Sequence, residues 1–343
     1  MSISSWLCDL RIDGKLPLPS PVIQFVLDLA LEVCYRFAPT YDELPDEWSG
    51  ASGPIARKTE DLMRVHYDKP AILFESFLDK DMKYSAGLWE RGAADLDAAQ
   101  EAMLEDFCAK ANIQDGDNVL DIGCGFGNFA AYVLRRYPAC KVTGITLSTV
   151  QYDWISEKRS EPGHPLHNDR FRVLKEDFAH SQFAREFDRV VSIGLFEHIN
   201  NIELALEKIA GFLKPEGTCM LHYICYHRLI GPFVEDDSTV FFERYIFPGG
   251  HFWPMNELPR YGEYLKVEKS WFLNGNNYRR TLKAWRANFW KNIGRIKAHP
   301  DLDDRFVRVW DLYLQFCMAM FRGMGGRNVG NGQFLLRHAR PVA

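Results

Sequence analysis

The 343-residue chain has no run of about 18 apolar residues, so a membrane-spanning helix and stable membrane insertion are not expected. It has no basic excess either: 41 Lys and Arg stand against 46 Asp and Glu, a net charge of −5. A dedicated nucleic-acid binder needs a basic surface for phosphate contacts, and this balance offers none. None of the eight cysteines pairs with another in Cys-x-x-Cys spacing, so neither a zinc ribbon nor a redox pair is signalled, and no metal site is expected. Several cysteines lie inside apolar stretches, which suits reduced, buried thiols and a cytoplasmic setting. Around Met1–Asp13 the apolar core of a secretory signal is missing. No internal repeat or low-complexity segment stands out.

What is present is enough for a substantial core. Hydrophobic residues make up 47% of the chain and charged residues 25%. Residues 1 to about 70 read as helical. Ser20 suits an N-cap and Pro21 a first helical turn, followed by an apolar stripe of Val22, Phe25, Val26, Leu29 and Val33. Pro39 is expected to stop that helix, and 42–54 reads as a loop. Helices are expected over 60–65 and 98–111. From Asp117 the pattern changes to alternating short strands and helices: strands at 118–122, 141–146, 171–176, 189–193 and 218–224, helices at 128–136, 150–159 and 203–213. That alternation predicts a parallel sheet covered by helices on both faces. About half of the aromatic residues fall in the last third, which suits a bulky second core, an apolar pocket, or both. A closing strand is expected over 333–339.

The strongest local signal is Val119-Leu120-Asp121-Ile122-Gly123-Cys124-Gly125-Phe126-Gly127. A strand, a glycine turn and a helix in that order let backbone approach a ligand closely and present unpaired helical amides to it. Gly-x-Gly-x-Gly alone also suits a dinucleotide site. Asp121 just before the turn suits a cationic amine better than a pyrophosphate.

The whole pattern resembles the S-adenosylmethionine-dependent methyltransferases with a Rossmann-like sheet. That resemblance implies that Gly123, Gly125 and Gly127 hold the methionine part of S-adenosyl-L-methionine. The usual acidic residue after the second strand is replaced by Gly144-Ile145-Thr146-Leu147-Ser148 with Gln151, so a hydroxyl and an amide would serve the ribose. Asp177 would face the adenine amine, with Phe178 stacked on the base and Ile193 lining the site; Asp177 fits a helix N-cap equally well. The same segment, with Tyr84-Ser85, Phe196-Glu197-His198 and Tyr245-Ile246-Phe247-Pro248-Gly249-Gly250, is similar to the cyclopropane-fatty-acid synthase superfamily. Segments 96–104, 111–116 and 318–321 look more like its coclaurine N-methyltransferase group.

This resemblance implies an α/β fold: a class I methyltransferase sheet with a helical N-terminal extension and an inserted and C-terminal helical cap. Its parts would be an extension and lid over 1–95, a cofactor-binding core over 96–225, and an aromatic substrate cap with closing strands over 226–343. The implied partner is a small-molecule amine, and a homodimer is compatible with it. Tyr84 and Ser85 would bond the cofactor carboxylate. Glu197 and His198 follow the fourth strand, where His198 could take the amine proton and Glu197 could hold the ammonium or orient the imidazole. In the lipid enzymes a Cys, a Glu, a His and a Tyr hold a bicarbonate base. Here Ala86 occupies the Cys position, while Glu197, His222 and Tyr278 match the others. A Glu common in the coclaurine group three residues before Glu197 is Gly194 here. The alternative product is therefore a lipid modified at an acyl double bond.

Overall fold

The computed structural model describes residues 3–37, 50–227, 231–232 and 240–341. Strands form where β-branched residues cluster, and helices start where a short polar side chain can hold a first-turn amide. The strands are β1 (Ala51–Ala56), β2 (Asn118–Ile122), β3 (Lys141–Thr146), β4 (Phe171–Lys175), β5 (Phe187–Ile193), β6 (Ile199–Asn201), β7 (Leu213–Tyr226), the two-residue β8 (Gly231–Pro232), β9 (His251–Pro254), β10 (Leu265–Leu273) and β11 (Val329–His338). The helices are α1 (Ile3–Ile12), α2 (Ser20–Phe37), α3 (Thr59–Leu62), α4 (Ala71–Phe77), α5 (Leu96–Ala111), α6 (Asn128–Arg136), α7 (Thr149–Ser160), α8 (Ile202–Phe212), α9 (Val240–Tyr245), α10 (Asn276–Lys291), α11 (Ile293–Lys297) and α12 (Asp304–Gly326). Asp95, Ser148, Asn201 and Asp303 each cap a helix by accepting a hydrogen bond from an amide three residues on.

The main sheet runs β10-β11-β7-β5-β2-β3-β4. Strands β7, β5, β2, β3 and β4 are mutually parallel, as the strand–helix alternation predicts. Strand β11 is antiparallel between β7 and β10. The carboxyl ends of β2, β3, β4 and β5 therefore share one edge, where ligands bind in such sheets. One apolar cluster runs from Ile12 and Leu73 through Phe107 and Val191 to Trp285 and Trp310, and a second takes in Val190, Leu206, Trp253 and Phe334, so the aromatic last third is divided between two cores.

Three expectations change. Part of the expected 42–54 loop is β1, which pairs antiparallel with β6; residues 38–49, with Pro39, lie outside the described residues. The expected 60–65 helix is short: α3 passes at Met63 into a π-helical turn, Met63–Tyr67. The α2 stripe points away from the body. Phe25 is 66% exposed and Leu29 55%, whereas Ile23 is buried and Leu27, Leu31 and Tyr35 pack against the core. Polar contacts with the last third select that face: Gln24 Nε2 donates to the Gln315 carbonyl, and the Met324 amide donates to Glu32. Gly323 lets the Tyr35 ring approach, since a Cβ there would meet it at 2.1 Å.

Candidate active site

At the carboxyl edge of the sheet lies a cleft of about 1130 Å³. Its floor is the turn after β2. Gly123, Gly125 and Gly127 have φ of 75°, 55° and 78°, a region that strains residues with a Cβ. A Cβ on Gly125 would meet no protein atom closer than 3.9 Å, so the space over that residue belongs to the cleft. Asp121 lines the cleft with one carboxyl oxygen unpartnered, and burial pushes its carboxyl up to about 7. Such an orphaned acceptor fits a ligand's ammonium group.

All but one of the expected cofactor residues line this cleft: Tyr84, Ser85, Asp121, Gly123, Gly125, Thr146, Ser148, Gln151, Asp177, Phe178 and Ile193, although not every side chain is free. Gly127 does not: a Cβ there would meet Leu166 at 3.0 Å, so it serves the turn and its packing. Thr146 Oγ1 donates to Gln151 Oε1 at 2.7 Å, which leaves the Gln151 amide hydrogens for a ligand. The Ser148 hydroxyl caps α7 and donates to Asp68 at 2.6 Å. Asp177 Oδ1 accepts from the Ala179 amide within a turn over 177–180; no helix follows, so the N-cap alternative does not hold. The Tyr84 hydroxyl points away from a carboxylate role: it lies 2.9 Å from His66 Nε2 and 3.2 Å from the Tyr313 hydroxyl.

Behind the cleft is a second, smaller chamber. The two spaces share Tyr67, Tyr84, Ser85, Gly194 and His198. This neck is where a group held in one would meet a group held in the other. Glu197, His222 and Tyr278 are all brought into the chamber. Glu197 Oε1 accepts from the Ile224 amide at 2.8 Å, Oε2 is buried without a partner, and burial raises the carboxyl to about 7. The His198 ring has Tyr67 Oη 3.0 Å from its Nε2, so a tyrosine that no motif singled out helps orient it.

The state of His222 follows from its neighbours. Lys110 donates to Gln333 Oε1 at 2.7 Å, which turns the Gln333 amide nitrogen toward His222 Nδ1, 3.2 Å away. Nδ1 then accepts and Nε2 carries the hydrogen. Burial, then the Lys83 and Lys110 charges, hold the ring well below its usual pKa and hence neutral. His222 therefore offers the chamber a donor rather than a base. His66 also enters from the π-helical turn. Its ring stacks between Tyr84 and Trp310 and lies 4.5 Å from Phe247 by ring centroids. Burial, then His198 nearby, keeps it neutral as well. Ala86 is buried, and its carbonyl accepts from Lys83.

Residues 56–328 match the model of the mycolic acid cyclopropane synthetase family. The chain belongs to that family. As a member of the mycolic acid cyclopropane synthetase family it is an S-adenosylmethionine-dependent methyltransferase, and the glycine turn and the Asp121 acceptor fit that cofactor. It is 29% identical over 290 residues to (S)-coclaurine N-methyltransferase of Papaver somniferum, covering 83% of this chain and 81% of the relative. It is 32% identical over 265 residues to cyclopropane-fatty-acyl-phospholipid synthase of Escherichia coli K12, covering 76% and 64%. Coclaurine N-methyltransferase bound to N-methylheliamine and S-adenosylhomocysteine has the same fold, with a TM-score of 0.87 at 24% identity, covering 98% of this chain and all of that one. Cyclopropane synthase MmaA2 of Mycobacterium tuberculosis follows at 0.70 and 26%, covering 83% and 99%. Family members thus act on both amines and acyl chains. Among the described residues no helix is long and apolar enough to cross a membrane, and none forms a metal-binding cluster.

Proposed function

We propose that this methyltransferase acts on the nitrogen of a small aromatic or cyclic amine. The observation that carries the reading is the Glu197 carboxylate, buried with one oxygen unpartnered in a chamber walled by His66, Tyr67, Tyr84, Phe247, Tyr278 and Tyr313. Such a site suits a cation: the carboxylate accepts from the ammonium, and aromatic faces attract its charge. The first relative named above is a coclaurine N-methyltransferase.

S-adenosylmethionine supplies a methyl group on a sulfonium, so no covalent enzyme intermediate is required. Asp121, the glycine turn, Gln151 and Phe178 hold the donor in the cleft, and the chamber holds the acceptor across the neck. Glu197 binds the amine as its ammonium, and the proton passes to Glu197 or to His198. The freed nitrogen lone pair then forms the N–C bond as the S–C bond breaks. Alignment and exclusion of water supply much of the rate, and the base adds about 100- to 10,000-fold. His222 Nε2–H can orient a hydroxyl on the acceptor.

A second reading, acyl-chain modification, draws on the meeting of Glu197, His222 and Tyr278 in one chamber. Ala86, where the lipid enzymes have Cys, weighs against it. The test is incubation with methyl-labelled S-adenosylmethionine and a mixed panel of cyclic amines and phospholipids, followed by mass analysis. A labelled N-methyl product is expected. A phospholipid carrying one extra methylene, with no methylated amine, overturns the proposal.

A further inference from the structure

Lys83 is 1% exposed, yet no ion pair within 4.0 Å engages its Nζ among the described residues. Its backbone amide, not its ammonium, donates to Asp79. Nζ has three neighbours: the Ala86 carbonyl at 2.6 Å, Gln100 Oε1 at 2.8 Å and Ser85 Oγ at 2.8 Å. The Gln100 orientation is settled, because its Nε2 donates to the Ser85 and Lys83 carbonyls. All three partners therefore accept, and they use all three ammonium hydrogens.

Ser85 Oγ, having accepted from Lys83, keeps its own hydrogen. No other partner for that hydroxyl is found among the described residues, and Ser85 lines the cofactor cleft. Burial lowers the Lys83 ammonium to about 7, and the Asp79 charge, which makes no contact with Nζ, only partly opposes that fall; a further anion approaching the cleft side would hold the proton on Nζ. S-adenosylmethionine brings one anionic group, its carboxylate. We propose that Lys83 is a positioning residue for the cofactor: it turns the Ser85 hydroxyl hydrogen into the cleft, toward that carboxylate, and supplies the buried positive charge the carboxylate faces. The proposal rests on the assignment of the cofactor and not on the nature of the acceptor.

The test is calorimetric binding of two probes: S-adenosylhomocysteine, and its analogue lacking only the carboxylate, S-adenosyl-3-thiopropylamine. A charge-assisted hydrogen bond predicts that Lys83→Met weakens S-adenosylhomocysteine about tenfold or more, with the analogue changed by less than about threefold. Ser85→Ala should show the same selectivity, and the double variant should be no weaker than the poorer single one. Lys83→Gln, whose amide still donates, replaces Lys83→Met if that variant does not fold. Equal losses for both probes make Lys83 a loop staple and overturn the proposal, as does unchanged S-adenosylhomocysteine affinity. Failure of the wild type to bind S-adenosylhomocysteine would instead strike the cofactor assignment.

Discussion

Burial raises the Glu197 carboxyl from 4.5 to about 7, so the group that the proposed chemistry needs ionised is one the fold prefers neutral. A carboxyl raised in the fold contributes stability that is complete below about pH 4.5 and is lost as pH rises through about 7. The interval between the two values corresponds to roughly 3 kcal/mol. Glu197→Gln should therefore melt at a higher temperature than wild type at pH 8, with the gain gone at pH 5, and turnover should fall about 100-fold or more. Calorimetric melting at both pH values and initial rates check this; a variant melting below wild type at pH 8 contradicts it. Glu197 and His198 are legible in the sequence because they stand in a motif after a strand, whereas His222 and Tyr278 come from the family resemblance. Tyr67, His66 and Lys83 come from neither. Tyr67 and His66 reach the site only because a π-helical turn rotates both inward, and Lys83 matters through a hydroxyl two residues away.

At the scale of the element, α2 shows periodicity and tertiary contact disagreeing. Spacing finds the stripe of Val22, Phe25, Val26, Leu29 and Val33 but cannot say which side meets the body. The packed side mixes Ile23, Leu27, Leu31 and Tyr35 with Gln24 and Glu32, whose partners lie nearly 300 residues away. Removing apolar atoms from the exposed side should leave stability nearly unchanged: Val26→Ser and Leu29→Ser are each expected within about 0.5 kcal/mol of wild type. Ile23→Ser, which leaves a cavity and buries a hydroxyl, should cost roughly 2 kcal/mol or more. Urea titration of the three variants decides between the faces. A large loss from Leu29→Ser would show that the outward side is covered in solution.

For the whole molecule, the cleft and the proposed acceptor chamber meet at one neck built from distant parts of the chain: Tyr67 from the π-helical turn, Tyr84 and Ser85 from the loop after α4, Gly194 and His198 from the end of β5. A ligand in the cleft bridges segments that separate on unfolding, so it should stabilise the fold as a unit. S-adenosylhomocysteine at 100 times its Kd should add about 2.7 kcal/mol. That corresponds to a rise of roughly 4 °C in the melting temperature for a chain of this size. Differential scanning calorimetry tests it, and an unchanged midpoint at saturation would remove the cleft as the cofactor site.

The sequence by itself determined the parallel core and its cofactor turn, because both are local. Strand–helix alternation sets the βαβ order, and the strand, Gly-x-Gly-x-Gly and helix sit within one short stretch. The expected bounds of β2, β3 and α6 agree with the structure residue for residue. Only the tertiary structure decided the chamber behind the cleft. Its walls come from the π-helical turn, the loop after α4, the end of β5, β7, α10, α12 and β11, and no spacing along the chain records which of them meet. The tautomer of His222 is the sharpest case. It depends on Lys110 in α5 and Gln333 in β11, which act through one another across more than 200 residues of chain.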